Sequence, residues 1–187
     1  MSADLFGAEP ERHTERSMIE RLNRRYGKTY KNGSYVGRRY SRAEKVGQSA
    51  GFTAHGSRIA DYLAMDVYSP QFDERTDAED AARGGYEIGS IIGHEIKVSR
   101  ADWLAELRDP SKAEAWARHC HYWWIVAPAD VVRDDLPEGW GLLVPWRDSL
   151  RVRVKAVRRD SEPMPPSMTI SLCRAVVRTE AGLKVTA

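Results

Sequence analysis

The sequence has few cysteines and no long apolar run. Cys120 and Cys173 are its two cysteines and no C-x-x-C pair occurs, so a disulfide framework is not expected and a reducing compartment is. No apolar stretch approaches the roughly 20 residues that span a bilayer. The first residues, MSADLFGAEPERH, lack the basic and then apolar pattern of a secretory signal. These absences predict a cytoplasmic protein with no membrane partner.

The chain also has little excess charge of either sign. Its 187 residues carry a net charge of +2, with 42% apolar and 30% charged side chains. This composition is typical of a soluble protein, and the length fits a single domain, residues 1–187, with a proper core. The overall charge does not by itself indicate a nucleic-acid-binding protein, so the distribution of the charges matters more.

Basic residues are concentrated in residues 24–45, which hold eight lysines and arginines against a single acid, Glu44. Tyrosines and glycines are interleaved with them. Basic side chains contact phosphates and tyrosines stack on bases, so we expect a glycine-rich basic loop that contacts DNA. The alternative is a solvated loop that only aids solubility. The residues predicted to bind DNA are Arg38, Arg39, Arg42, Lys45, Arg58 and Lys112.

The apolar pattern predicts an α/β protein with a mixed central sheet flanked by helices. Helices are expected at 14–26, from Ser99, after Pro110 and at 167–178, where a strand is the alternative. Strands are expected at 40–46, 58–68, 88–98, 121–128, 141–145 and 150–158. In the last strand, Leu150, Val152 and Val154 alternate with basic residues, which predicts one buried and one basic face. Residues 1–12 are expected to form a flexible arm, 69–85 an acidic mobile loop, and 146–187 a C-terminal extension.

Three acids and a lysine stand at positions that favour a chemical site. Glu95 and Lys97 are two apart in a strand and therefore point to one face. Asp61 interrupts an apolar strand face, and Glu15 lies on the apolar stripe of the first helix. A buried carboxylate needs a partner or a metal ion. The alternatives are an exposed Glu/Lys pair on an edge strand and a Glu15 that frays into solvent.

These side chains suit divalent-metal chemistry. Hard oxygen donors favour Mg²⁺ or Mn²⁺. A neighbouring lysine can orient or deprotonate a water molecule, or stabilise phosphoryl charge. The combination is typical of phosphodiester hydrolysis.

Asp61 followed by Glu95-Ile96-Lys97 resembles the signature of the PD-(D/E)XK nuclease superfamily. Longer segments resemble the MmcB-like DNA repair proteins, versions of which also occur in phages. The segments are RIADYLAMD (58–66), HEIKVSRADWLAEL (94–107), HCHYWWIVAP (119–128) and DLPEGWGLLV (135–144). The resemblance covers about residues 58–145, with a weaker echo near 165–178.

The resemblance implies a restriction-endonuclease-like core, in the order αβββαβ, with extra C-terminal strands. It implies metal binding by Asp61, Glu95 and the Ile96 carbonyl, a catalytic role for Lys97 and a supporting acid at Glu15. Ala60 replaces the proline of the motif. A Gln-x-x-x-Tyr feature is not evident after Glu95, which makes processive degradation from DNA ends less supported.

We therefore expect a Mg²⁺- or Mn²⁺-dependent DNA nuclease that acts in repair, recombination or phage DNA processing. The alternatives are a non-catalytic DNA-binding accessory protein with a degenerate nuclease fold, and a structural protein with neither property. The DNA structure recognised stays open, as does a homodimer, the form in which many nucleases of this size cut both strands.

Overall fold

The computed structural model describes residues 13–27, 29–32, 35–49, 58–67 and 89–183. The expected arm at 1–12 and the expected acidic loop at 69–85 lie outside the described residues.

The described residues form a mixed α/β structure in which most boundaries agree with the sequence pattern. The helices are α1 (Glu15–Tyr26), α2 (Arg100–Arg108), α3 (Ser111–Ala117) and α4 (Pro166–Glu180). The strands are β1 (Thr29–Asn32), β2 (Tyr35–Arg38), β3 (Tyr40–Gly47), β4 (Ile59–Asp66), β5 (Ile91–Ile96), β6 (Tyr122–Val126), β7 (Gly141–Trp146) and β8 (Ser149–Val154). The helix expected at 167–178 is confirmed as α4.

Six strands form one mixed sheet in the order β3-β4-β5-β6-β7-β8. Strands β3, β4 and β5 are antiparallel neighbours, β5, β6 and β7 are parallel, and β8 returns antiparallel to β7. The parallel step from β5 to β6 requires a crossover, which α2 and α3 supply. This confirms the expected mixed sheet flanked by helices.

The basic segment 24–45 is not a loop in its described residues, although the helix to 26 and the strand at 40–46 were expected. Its described residues form the end of α1, the antiparallel pair β1–β2 and most of β3. The tyrosines and the valine of this segment are residue types that favour strands, but the density of basic residues obscured that signal.

Helices cover both faces of the sheet. On one face, Met18, Leu22 and Tyr26 of α1 pack against Tyr62 and Ile92. On the other face, four buried tryptophans form a core with residues of β3, β4, β7 and α4. These tryptophans are Trp103, Trp116, Trp123 and Trp140.

Gly93 leaves room for the indole ring of Trp123 on the neighbouring strand β6. A Cβ at this position would lie 2.3 Å from ring atoms of Trp123 and 2.9 Å from the Cys120 sulfur. Only glycine fits at position 93, because the indole ring occupies the space that a Cβ would need.

The C-terminal extension at 146–187 contributes β8 at one edge of the sheet and α4, which packs on β3 at the other edge. The burial expected for β8 is only partly correct. Leu150 is buried, but Val152 and Val154 are 37% and 42% exposed, because β8 is an edge strand. Among the described helices, none combines the length and apolarity that crossing a membrane requires.

Candidate active site

The acids and the lysine singled out in the sequence meet at one cavity of about 340 Å³ beside the end of β5. Its lining residues are Glu15, Asp61, Glu95, Ile96, Lys97, Val98, Asp102, Ala105, Glu106 and Lys112. The predicted constellation is therefore brought together in space, although its members come from α1, β4 and β5.

Strand pairing brings Asp61 and Glu95 together. Tyr62 pairs with His94 across the antiparallel β4–β5 ladder. One residue back along β4 and one residue forward along β5, Asp61 therefore lies opposite Glu95. Asp61 Oδ2 accepts a hydrogen bond of 2.8 Å from the Ile96 backbone N–H. This bond fixes the orientation of the Asp61 carboxylate.

Lys97 lies between two carboxylates. Its Nζ is 2.7 Å from Glu95 Oε1 and 2.9 Å from Glu106 Oε2. The close Glu95–Lys97 contact agrees with their two-residue spacing in a strand.

Sequence reasoning missed Glu106. It is buried on α2 three residues after the buried Trp103, and residues three apart share a helix face. A carboxylate on the buried stripe of α2 was the signal that could have revealed it.

The surroundings of Glu95 and Lys97 raise the pKa of both side chains, for different reasons. Burial, with a further contribution from Asp61, raises the pKa of Glu95 to about 7 despite the opposing effect of Lys97. Burial lowers the pKa of Lys97, but Glu95 and Glu106 outweigh it, so the net pKa is well above the ordinary value. Lys97 therefore stays protonated at neutral pH.

Lys45, which was predicted to contact DNA, lies in the acidic site. Its Nζ is 2.7 Å from Asp61 Oδ1 and 2.5 Å from Glu15 Oε1. Burial lowers the pKa of Lys45, but Asp61 and Glu15 reverse this and raise it. Lys45 has φ +51°, a left-handed conformation that is uncommon for a residue in a strand. Lys45 also links Glu15 to Asp61.

The site has an excess of negative charge that a divalent cation could neutralise. Four carboxylates, those of Glu15, Asp61, Glu95 and Glu106, surround the ammonium groups of Lys45 and Lys97. When all are ionised, the group carries a net charge of −2. Asp102 and Lys112, which also line the cavity, cancel each other.

The donor types fit Mg²⁺ or Mn²⁺, since they are carboxylate oxygens on a partly open cavity. In the described ranges, however, no three His, Cys, Asp or Glu side chains stand close enough to form a complete metal centre. Lys45 and Lys97 bind the carboxylates instead, so metal binding requires at least Lys45 to move.

The remaining residues predicted to bind DNA are mostly held by acids. Arg38 and Arg42 both pair with Glu180, at 2.5 and 2.9 Å, and Arg39 pairs with the buried Asp66 at 3.0 Å. Arg58 and Lys112 lie 4.0 and 3.8 Å from Asp109.

Comparisons with known proteins give a fold likeness and no family. No family model matches the sequence, and no curated protein matches it. A solved structure, the SPO1766 protein of unknown function from Silicibacter pomeroyi, is similar with a TM-score of 0.50 and 16% identity. The match covers 89% of this chain and 84% of the other. At this identity the likeness concerns the fold alone.

Proposed function

We propose that this protein is a divalent-metal-dependent DNA nuclease with a restriction-endonuclease-like core, acting in DNA repair, recombination or phage DNA processing. The observation that carries the proposal is the pairing of Asp61 with Glu95 on adjacent strands, beside Lys97, in a cavity lined by more carboxylates than ammonium groups. The resemblance of residues 58–145 to MmcB-like proteins supports DNA as the substrate.

Asp61 and Glu95 would hold the cation, with the Ile96 carbonyl as a third donor and Glu15 as a supporting acid. A bound Mg²⁺ or Mn²⁺ ion supplies Lewis-acid stabilisation of the phosphoryl charge and lowers the pKa of a bound water molecule.

The role of Lys97 follows from its protonation. A lysine whose pKa is raised by two carboxylates is a poor general base near neutral pH, because it has no free lone pair. A protonated lysine is suited to stabilising negative charge on the phosphoryl group. The Ile96 N–H and Glu106 act as positioning groups, because they hold Asp61 and Lys97.

A non-catalytic DNA-binding protein is the second candidate. The observation that favours it is the Lys45 ammonium, which already occupies Asp61 Oδ1. A site whose acids are permanently neutralised by lysines would bind no metal and cleave no DNA.

Cleavage assays separate these candidates. Labelled single-stranded, duplex, nicked, flapped and four-way DNAs are incubated with the protein in Mg²⁺, in Mn²⁺ and in EDTA. We expect cleavage of at least one substrate with metal and none in EDTA, and loss of cleavage in Asp61→Asn. DNA binding without cleavage under either metal would contradict the nuclease proposal and favour the second candidate.

A further inference from the structure

The turn after β7 and strand β8 carry a row of exposed basic side chains. Arg147 lies in the turn, Arg151 and Arg153 lie in β8, and Lys155 follows it, all exposed. In the part of the chain that the structure describes, none of these four forms an ion pair with a carboxylate, and Arg153 donates a hydrogen bond of 2.9 Å to the Ala129 carbonyl. They differ in this respect from Arg38, Arg39 and Arg42.

An exposed aromatic ring lies in the same row. Trp146 ends β7 and is 51% exposed. The guanidinium of Arg151 stacks on its ring, 4.4 Å from the centroid. Trp146 thus combines an accessible apolar surface with a cation that orients the ring.

The backbone of the turn holds a further indication. Among the described residues, two that are not glycine have positive φ, and both are basic: Lys45 and Arg147, each at +51°. Glycine or asparagine would adopt this turn conformation at lower cost. Lys45 lies in the candidate site, and Arg147 lies at the tip of the β7–β8 hairpin. A basic residue at a strained position suggests that its side chain is used.

We propose that this surface, the β8 basic strip (Trp146, Arg147, Arg151, Arg153 and Lys155), binds single-stranded DNA. The four cations would contact successive phosphates and Trp146 would stack on an unpaired base, as in other single-strand sites. Stacking requires a base that is free of its partner, which favours single-stranded over duplex DNA. The proposal rests on the proposed function for its substrate, but the binding it describes does not require cleavage.

The position of the strip suits delivery of a strand to the candidate site. Strands β5, β6 and β7 are parallel, and Ile96, Val126 and Leu143 lie level with one another across them. Trp146 is therefore two strands across from Ile96 and three residues further along, a separation of about 14 Å. A strand of the roughly 4–16 nucleotides that single-strand sites cover could span this distance.

Binding in EDTA tests the strip without chemistry. Fluorescence anisotropy of a labelled single-stranded oligonucleotide is measured over a series of salt concentrations. The Arg151→Gln/Arg153→Gln double variant should bind about tenfold more weakly, and its log–log salt slope should flatten by about 0.7 per lost contact. The control is Arg174→Gln, which removes one positive charge from an exposed arginine on α4 at the opposite edge of the sheet and should bind within twofold of wild type.

Arg147→Gly separates binding from folding. Glycine suits the φ of +51°, so this variant should melt no lower than wild type while binding several-fold more weakly. Trp146→Leu should weaken binding with an unchanged salt slope, because stacking releases no counterions.

Equal binding by wild type and the double variant would overturn the proposal, as would an equal loss in Arg174→Gln. Binding to vesicles of phosphatidylserine and phosphatidylcholine without binding to the oligonucleotide would also overturn it. If the strip binds DNA but no metal ion supports cleavage, the proposed nuclease function is wrong and the proposed DNA binding by the strip is retained. If cleavage occurs and the double variant binds normally, the strip alone fails.

Discussion

Replacing Glu95 by glutamine should stabilise the metal-free protein at alkaline pH. The neutral amide has the shape of the protonated acid, and protonation is the state that burial and Asp61 favour. Because the folded-state pKa is raised, the stability that Glu95 contributes is complete below its ordinary value of 4.5 and is lost as the pH rises through about 7. The Glu95→Gln variant does not lose this stability, because glutamine does not ionise.

The size of the effect follows from the two pKa values. At about 1.4 kcal/mol per pKa unit, the change from 4.5 to about 7 corresponds to about 3 kcal/mol. For a chain of this length the shift in Tm is roughly 6–12 °C. The difference between variant and wild type should be near zero at about pH 4.5 and complete at about pH 8.5.

Thermal and urea unfolding in EDTA over this pH range measure the effect. Glu138→Gln is the matched control, since Glu138 is exposed and lies outside the cavity, and it should leave the stability unchanged. Equal stability of Glu95→Gln and wild type at alkaline pH would refute the reasoning. A gain that is the same at acid and alkaline pH would refute it as well, because it could not come from ionisation.

Two further predictions concern Lys45 and Gly93. Lys45→Gln should bind Mn²⁺ about tenfold more tightly or better in a calorimetric titration, because the competing ammonium beside Glu15 and Asp61 is gone. The control Lys112→Gln removes the same charge from the cavity lining without freeing Glu15 or Asp61, and it should change the Mn²⁺ affinity far less. Unchanged or weaker Mn²⁺ binding by Lys45→Gln would contradict the idea that the metal ion displaces the Lys45 ammonium. Gly93→Ala should lower the free energy of unfolding by about 2–3 kcal/mol in urea, because its Cβ would collide with Trp123. Gly89 has open space around it but cannot serve as the control, because its φ of +78° would strain an alanine. The control is therefore Ala101→Gly on the exposed face of α2, which should lower the free energy of unfolding by about 1 kcal/mol. Unchanged stability of Gly93→Ala would show that the indole ring can move.

Short-range patterns predicted the centre of the site because they follow from backbone geometry. Two-residue periodicity set Glu95 and Lys97 on one strand face, and an acid in an apolar strand singled out Asp61. The same periodicity overestimated the burial of Val152 and Val154, because it does not reveal which strand lies at an edge.

Long-range pairing explains what the sequence did not reveal. Arg42 lies 138 residues from its partner Glu180, so the arginines of residues 24–45 looked available for DNA. Lys45 was predicted to lie on the same surface. Its contact with Asp61 depends on the β3–β4 register and on an unusual φ, and the sequence reveals neither. Charge read along the chain did not reveal either contact, because it does not show which helix or strand lies beside a basic residue.

The central claim is that Asp61, Glu95 and Lys97 form a metal-dependent phosphodiester hydrolase site. The most direct test is the single-turnover cleavage rate of wild type and Lys97→Met, measured side by side in saturating Mn²⁺ on the preferred DNA. Circular dichroism first establishes that both proteins are folded, because Lys97 separates Glu95 from Glu106. The account predicts a loss of at least about a hundredfold in the variant, as for a lost charge-stabilising group. Cleavage by folded Lys97→Met at the wild-type rate would contradict it.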